Sequence, residues 1–143
     1  MFIIKNPELR DKVKACTNAF HVGIDLLAYK ATEVCYSCGA KWVDELNEYL
    51  WGNAKFVTEF CEKNLPKVKT FVPEGTYLMW LDFSEYGLSQ EELMLKLKSE
   101  AKVGLNNGAD YGPEGVGFAR MNIGSPRFLL EQAMKQIQAV FEQ

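Results

Sequence analysis

The chain has 143 residues, 48% of them apolar and 24% charged, with a net charge of −3. That is the make-up of an ordinary folded domain with one core. There is no basic tract to suit nucleic acid or an anionic membrane, and no apolar run near the ~20 residues that a membrane helix needs. The opening residues lack the basic leader and apolar length of a signal peptide, so the cytoplasm is the expected location.

In chain order, Asn6-Pro7-Glu8-Leu9-Arg10 reads as a helix start, with Asn6 as N-cap and Pro7 in the first turn. This helix is expected to reach about Ala15. A break from Thr17 to Gly23 leads to a second helix, Ile24 to Ser37. Its apolar residues (Ile24, Leu27, Ala28, Ala31, Val34, Cys35) are spread around it and imply burial on more than one side. Gly39 interrupts. Lys41 to Asn64 then forms an amphipathic helix with the stripe Trp42, Leu46, Tyr49, Leu50, Phe56, Val57 and Phe60, closed by Pro66.

After Pro66 the hydrophobic period changes. Val68 to Val72 and Tyr77 to Phe83 read as strands around the turn Pro73-Glu74-Gly75. Ser89-Gln90-Glu91-Glu92 is a capping box that opens a helix from Gln90 to about Ala101. A short strand, Val103 to Leu105, enters a loop from Asn106 to Gly112, and the strand Gly117 to Ile123 follows. Ser125-Pro126 starts the last helix, with Leu129, Leu130, Ala133, Met134, Ile137, Val140 and Phe141 on one face. This order predicts an α+β domain: a small, mostly antiparallel sheet of three or four strands against helices, preceded by long N-terminal helices. The expected organisation is one domain, 1–143, with a helical segment 1–64 and an α+β part 65–143.

One residue stands out chemically. Arg120 lies within the apolar run Gly117-Phe118-Ala119-Arg120-Met121-Asn122-Ile123. A guanidinium keeps its charge, so a partner is needed where apolar neighbours surround it, and its planar fork suits a carboxylate. From the residues alone, an internal salt bridge with one of the 19 acidic residues is favoured over a ligand. Cys35-Tyr36-Ser37-Cys38 has C-x-x-C spacing, with Cys16 and His21 upstream, but there is no second pair and it falls late in a helical pattern. Buried or idle thiols are therefore expected for Cys16, Cys35, Cys38 and Cys61, with no metal, and His21 is expected to be structural or exposed.

Four stretches in order carry a family resemblance: Asn6-Pro7-Glu8-Leu9-Arg10; Ala31 to Tyr36 with Gly39, Trp42 to Leu46, Tyr49-Leu50 and Gly52-Asn53; Glu74 to Phe83; and Leu105 to Gly108 with Tyr111-Gly112 and Gly117 to Ile123. The chain resembles the C-terminal small domain of fold-type-I, pyridoxal-phosphate-dependent class I/II aminotransferases, in particular the cystathionine β-lyase (C–S lyase) branch. The resemblance implies that Arg120 holds the α-carboxylate of an amino-acid substrate. It also implies that Asn106, Asn107, Gly108 and Tyr111 form the loop beside that substrate. The residues alone also allow an ordinary turn there, with Asn and Gly supplying positive φ. Ala19-Phe20-His21 departs from the family pattern, and no role carries over to it.

The resemblance further implies a homodimeric parent enzyme that uses pyridoxal phosphate. That parent would carry out β-elimination of a thiol (cystathionine giving homocysteine, pyruvate and ammonia) or transamination. The lysine that joins the cofactor would fall before Met1, since Lys5, Lys12, Lys14 and Lys30 do not stand in the family's lysine context. The chain is accordingly expected to be a fragment or a stand-alone domain without the large catalytic domain, holding no cofactor and inactive by itself. The alternatives are a general aminotransferase small domain and a non-catalytic binding module with the same fold. Freed from a large domain, residues such as Leu27, Tyr29 and Trp42 are expected to be exposed and to promote self-association.

Overall fold

The computed structural model describes residues 3–20 and 25–142. It divides into two compact units, 1–43 and 44–143.

The first unit holds α1 (Pro7–Ala19), α2 (Leu26–Cys38) and the start of α3 (Ala40–Asn64). Asn6 caps α1 as expected, its side-chain oxygen accepting from the Leu9 amide at 3.0 Å. The helix outlasts the expected end near Ala15 and runs to Ala19, with the Thr17 hydroxyl turned back onto the Val13 and Lys14 carbonyls, 3.1 and 3.0 Å away. His21, and with it part of the expected break, lies outside the described residues. Asp25 caps α2 by accepting from the Ala28 amide at 2.9 Å, so this helix starts later than Ile24. Gly39 separates the helices for a steric reason: a Cβ there would stand 2.3 Å from the Cys35 carbonyl oxygen.

The burial expected of α2 is not what the structure has. None of its residues is buried, and Leu27 remains 79% exposed. Nothing among the described residues covers its apolar surface. Tyr29 and Trp42 are exposed in the same way.

The second unit is the α+β layer. Its antiparallel sheet has the order β1 (Leu78–Asp82), β3 (Phe118–Asn122), β2 (Asn106–Asn107). Along β3 Ala119 and Met121 point into the core, joined on β1 by Met79 and Leu81. Against them lie Ala54, Val57 and Cys61 of α3, Leu93 of α4 (Gln90–Leu95), and Leu130, Met134, Ile137 and Phe141 of α5 (Arg127–Phe141). Helices therefore cover one sheet face, and the period-two alternation leaves the other to polar and aromatic side chains.

Two expected strands are replaced. Val68 to Val72 contributes only one bridge, Lys69 to Asp82. The Thr70 hydroxyl donates to the Trp80 carbonyl at 2.7 Å, taking an acceptor that further pairing along this edge would use, and Pro73 brings no N–H. Val103 to Leu105 is not a strand either; pairing starts at Asn106. The Val103 amide instead closes the preceding helix by donating to the Leu97 carbonyl at 2.9 Å, after the last turn widens to a π-turn over Lys96–Glu100 and Lys102 adopts φ 55°. The capping box at Ser89 and Glu92 forms as read, with Ser89 accepting from the Glu92 amide and Glu92 accepting from the Ser89 amide.

Asn53 is the buried polar residue that joins α3 to the end of β3. Its amide nitrogen donates to the Ile123 and Ser125 carbonyls at 2.8 and 3.0 Å, and its oxygen accepts from Arg127 Nε at 2.8 Å. Ser125 does not cap α5. Tyr49 of α3 does so by accepting from the Arg127 amide at 2.9 Å.

Asn53→Ala leaves the buried Ile123 carbonyl and the Arg127 Nε without their partner, while the Ser125 carbonyl keeps the Tyr49 hydroxyl, and should cost about 2–3 kcal/mol, read as a lower urea midpoint by tryptophan fluorescence. Burial, helped by the charge of Glu62, pushes the Cys61 thiol from 9.0 up to about 12. A folded-state value above the unfolded one means that this contribution is complete below about pH 9 and is lost as pH rises toward 12. Stability should fall across that alkaline window, and Cys61→Ala should flatten the fall.

Candidate functional site

Strand pairing places Arg120. It sits mid-strand in β3, opposite Trp80 of β1 on one side and Asn106 of β2 on the other. Alternation turns it away from the core, onto the face that also carries Phe118. Its side chain is half-buried there. Asn106 Oδ1 accepts from Arg120 Nη2 at 3.2 Å, and the guanidinium lies 4.2 Å from the centre of the Tyr111 ring. Such stacking holds the guanidinium plane without consuming its in-plane donors.

No carboxylate pairs with Arg120 among the described residues, and its buried Nε has no hydrogen-bond partner. Arg127 is the contrasting case: its Nε donates to Asn53 and its guanidinium lies 4.8 Å from the Phe56 ring centre, as part of the α3–α5 joint. An internal salt bridge is thus not how Arg120 is satisfied among these residues. Its remaining donors can form a two-point contact with a carboxylate.

The loop residues fall into two roles. Asn106 and Tyr111 touch Arg120 directly. Asn107 shapes the turn: its Oδ1 accepts from the Ala109 amide at 3.1 Å and from Gln90 Nε2, and its Nδ2 donates to Asp110 at 3.3 Å. Positive φ, allowed for Asn and Gly here, occurs at Gly112 (128°) and, beyond the loop, at Gly117 (88°), and not at Asn106, Asn107 or Gly108. Gly108 is required by proximity: a Cβ would lie 2.2 Å from the Gly115 carbonyl oxygen and 2.4 Å from that of Phe118. Asn106–Asn107 and the 3-10 turn Gly108–Tyr111 therefore make an ordered ledge rather than a free loop.

Two contributors were not legible as site residues. Gln90, read only as part of the capping box, donates to the Phe118 carbonyl at 3.1 Å and accepts from the Gly117 amide at 2.7 Å, pinning the loop to the start of β3. Trp80 forms edge contacts with Tyr111 and Phe118, with ring centres 5.5 and 6.2 Å apart. The alternation of Tyr77 to Phe83 could have put Trp80 on the outer face, but only the register places it opposite Arg120. Cys16, Cys35 and Cys38 are exposed free thiols, Cys61 is buried, and no cluster able to hold a metal occurs among the described residues.

No family model matches the sequence. Among curated proteins, a cystathionine β-lyase of Bacillus subtilis is 42% identical over 117 residues, covering 82% of this chain and 30% of its own length. A cystathionine β-lyase of Corynebacterium glutamicum is 38% identical over 135 residues, covering 90% of this chain and 34% of its own length. Among solved structures, Treponema denticola cystalysin, which contains pyridoxal 5′-phosphate, superposes with a TM-score of 0.93 at 29% identity, over 98% of this chain and 36% of its own. A pyridoxal-phosphate-bound C–S lyase of Staphylococcus hominis gives 0.86 at 28% identity, over 99% and 37%. The chain thus spans about a third of the length of the relatives it matches.

Proposed function

This chain is a homologue of the cystathionine β-lyase branch of the fold-type-I, pyridoxal-phosphate-dependent enzymes, matching a C-terminal portion of them, and on that premise we propose that it is their substrate-carboxylate domain. Arg120 binds the α-carboxylate of an amino acid, and the domain closes over the substrate of a homodimeric C–S lyase or aminotransferase whose large domain carries the cofactor. The observation that carries this reading is the state of Arg120: over the Tyr111 ring at 4.2 Å, anchored at one nitrogen by Asn106, and unpaired with any described carboxylate. Asn106 fixes the angle of the fork and Tyr111 fixes its plane. An incoming carboxylate then meets donors already in place, and little ordering is left to be done on binding.

The bound cofactor supplies the electron sink for reaction at the substrate α-carbon. The residues here do not fit it covalently. A lysine that joins the cofactor works from a desolvated pocket, whereas the lysines of this chain are exposed, save the half-buried Lys96. Lys96 pairs with Glu100 at 3.5 Å and lies 5.4 Å from the Phe141 ring centre. The 143-residue chain therefore binds carboxylate but performs no turnover by itself. Elimination of a thiol is favoured over transamination because the curated relatives described above are cystathionine β-lyases.

Titration of the chain with propionate should shift the Asn106 side-chain amide and the Trp80 indole resonances saturably. Arg120→Met should weaken binding roughly tenfold or more. Unchanged affinity in that variant would defeat the assignment. Added pyridoxal phosphate, trapped with borohydride and read by mass, should label surface lysines diffusely. Stoichiometric trapping at one lysine would mean that the chain builds a cofactor site of its own.

A further inference from the structure

Two contacts place the guanidinium of Arg120, and both come from the ledge: the bond from its Nη2 to Asn106 Oδ1 and the ring of Tyr111. The ledge is itself lightly attached. β2 pairs with β3 at Asn106 and Asn107 only, and a pairing of two residues is not stable by its own strength. The angle and plane of the arginine fork therefore depend on what fastens the ledge from outside.

Gln90 is that fastening. Its Nε2 donates to Asn107 Oδ1 on the ledge and to the Phe118 carbonyl on β3, the latter at 3.1 Å, while its Oε1 accepts from the Gly117 amide at 2.7 Å. Both amide hydrogens are spent and the oxygen is engaged, so one planar group spans ledge and strand. The same Asn107 oxygen accepts from the Ala109 amide at 3.1 Å and so caps the 3-10 turn that ends at Tyr111. By fixing Asn107, Gln90 fixes Asn106 on one side of it and Tyr111 on the other. Gln90 in turn projects from the first turn of α4, which is held by the Ser89–Glu92 box and by the buried Leu93. It makes no hydrogen bond to Arg120.

We infer that Gln90 is a positioning residue for carboxylate binding: it sets the place of Asn106 and Tyr111, and through them the fork of Arg120, without touching the ligand. A guanidinium meets a carboxylate by two parallel bonds only when both nitrogens reach it in one plane. A loosened ledge leaves the charge of Arg120 in place but removes the alignment, so the two-point contact is what is lost. This inference rests on the carboxylate role of Arg120, and its test separates the two.

The experiment titrates the chain and its variants with propionate at neutral pH, following the Trp80 indole resonance. Gln90→Ala should weaken propionate binding about fivefold. The upfield shift that the Tyr111 ring imposes on the Arg120 side-chain protons of the free chain should shrink in the same variant. Gln90→Glu keeps the bond from the Gly117 amide but turns acceptors toward Asn107 and Phe118, so it should weaken binding at least as much, and it decides the matter if the alanine variant does not fold. Ile137→Val, which removes one buried methylene from α5, is the comparison: it should lower the urea midpoint and leave propionate affinity within about twofold. An equal loss of affinity in Ile137→Val, or unchanged affinity in both Gln90 variants with binding lost in Arg120→Met, would overturn the positioning role and leave the carboxylate role standing. Binding indifferent to Arg120→Met, or no binding at all, would overturn both.

Discussion

The register of β3 is the constraint on which the rest depends. This strand is paired on both edges, with Arg120 opposite Trp80 and Asn106 and with Ala119 opposite Leu81 and Asn107. Because successive side chains of a strand point to opposite faces, a slip of one residue would drive Arg120 into the core and bring Ala119 and Met121 to the surface. The packed face prevents this. Met79, Leu81, Ala119, Met121 and Ile123 are all buried against helices, and a one-residue slip would expose those of the slipped strand. Hydrophobic burial on one side of the sheet is thus what presents a cation on the other.

The two arginines near this strand show how partners decide the role of a residue type. Arg127 is bound into the α3–α5 joint by Asn53 and Phe56, where its charge supports a buried hydrogen-bond network. Arg120 is positioned by contacts that leave donors available, one hydrogen bond from Asn106 and a stacked ring beneath it. A guanidinium in such surroundings is only partly compensated and keeps donors of the geometry that suits a planar anion. Gly108 and Gly115 allow the supporting ledge to approach β3 closely, and Gln90 ties that ledge to the strand.

The two units differ in how their apolar surface is handled. In residues 44–143 the stripes of α3 and α5 meet the sheet and disappear from solvent. In residues 1–43 both α1 and α2 carry a side-chain N-cap, yet none of their residues is buried. Local signals suffice to form a helix, whereas burial needs a facing surface.

The sequence by itself determined what is local. The Asn6 cap, the Ser89–Glu92 capping box, the helix read over Lys41 to Asn64, the strands read over Tyr77 to Phe83 and Gly117 to Ile123 and the α+β class all follow from propensities, periodicity and short-range hydrogen bonds. Arg120 was legible as a candidate because a permanent charge in an apolar run must be satisfied somehow. Only the tertiary structure decided how. It replaced the strand at Val68 with a single bridge, moved pairing from Val103 to Asn106, put the positive φ of the loop at Gly112, and brought Trp80, Tyr111 and Glu114 around one cavity. The reason is that these features depend on which residue lies opposite which. Pairing across this sheet joins positions 12 to 44 residues apart, from Asn107–Ala119 to Leu78–Asn122, and no local pattern encodes it.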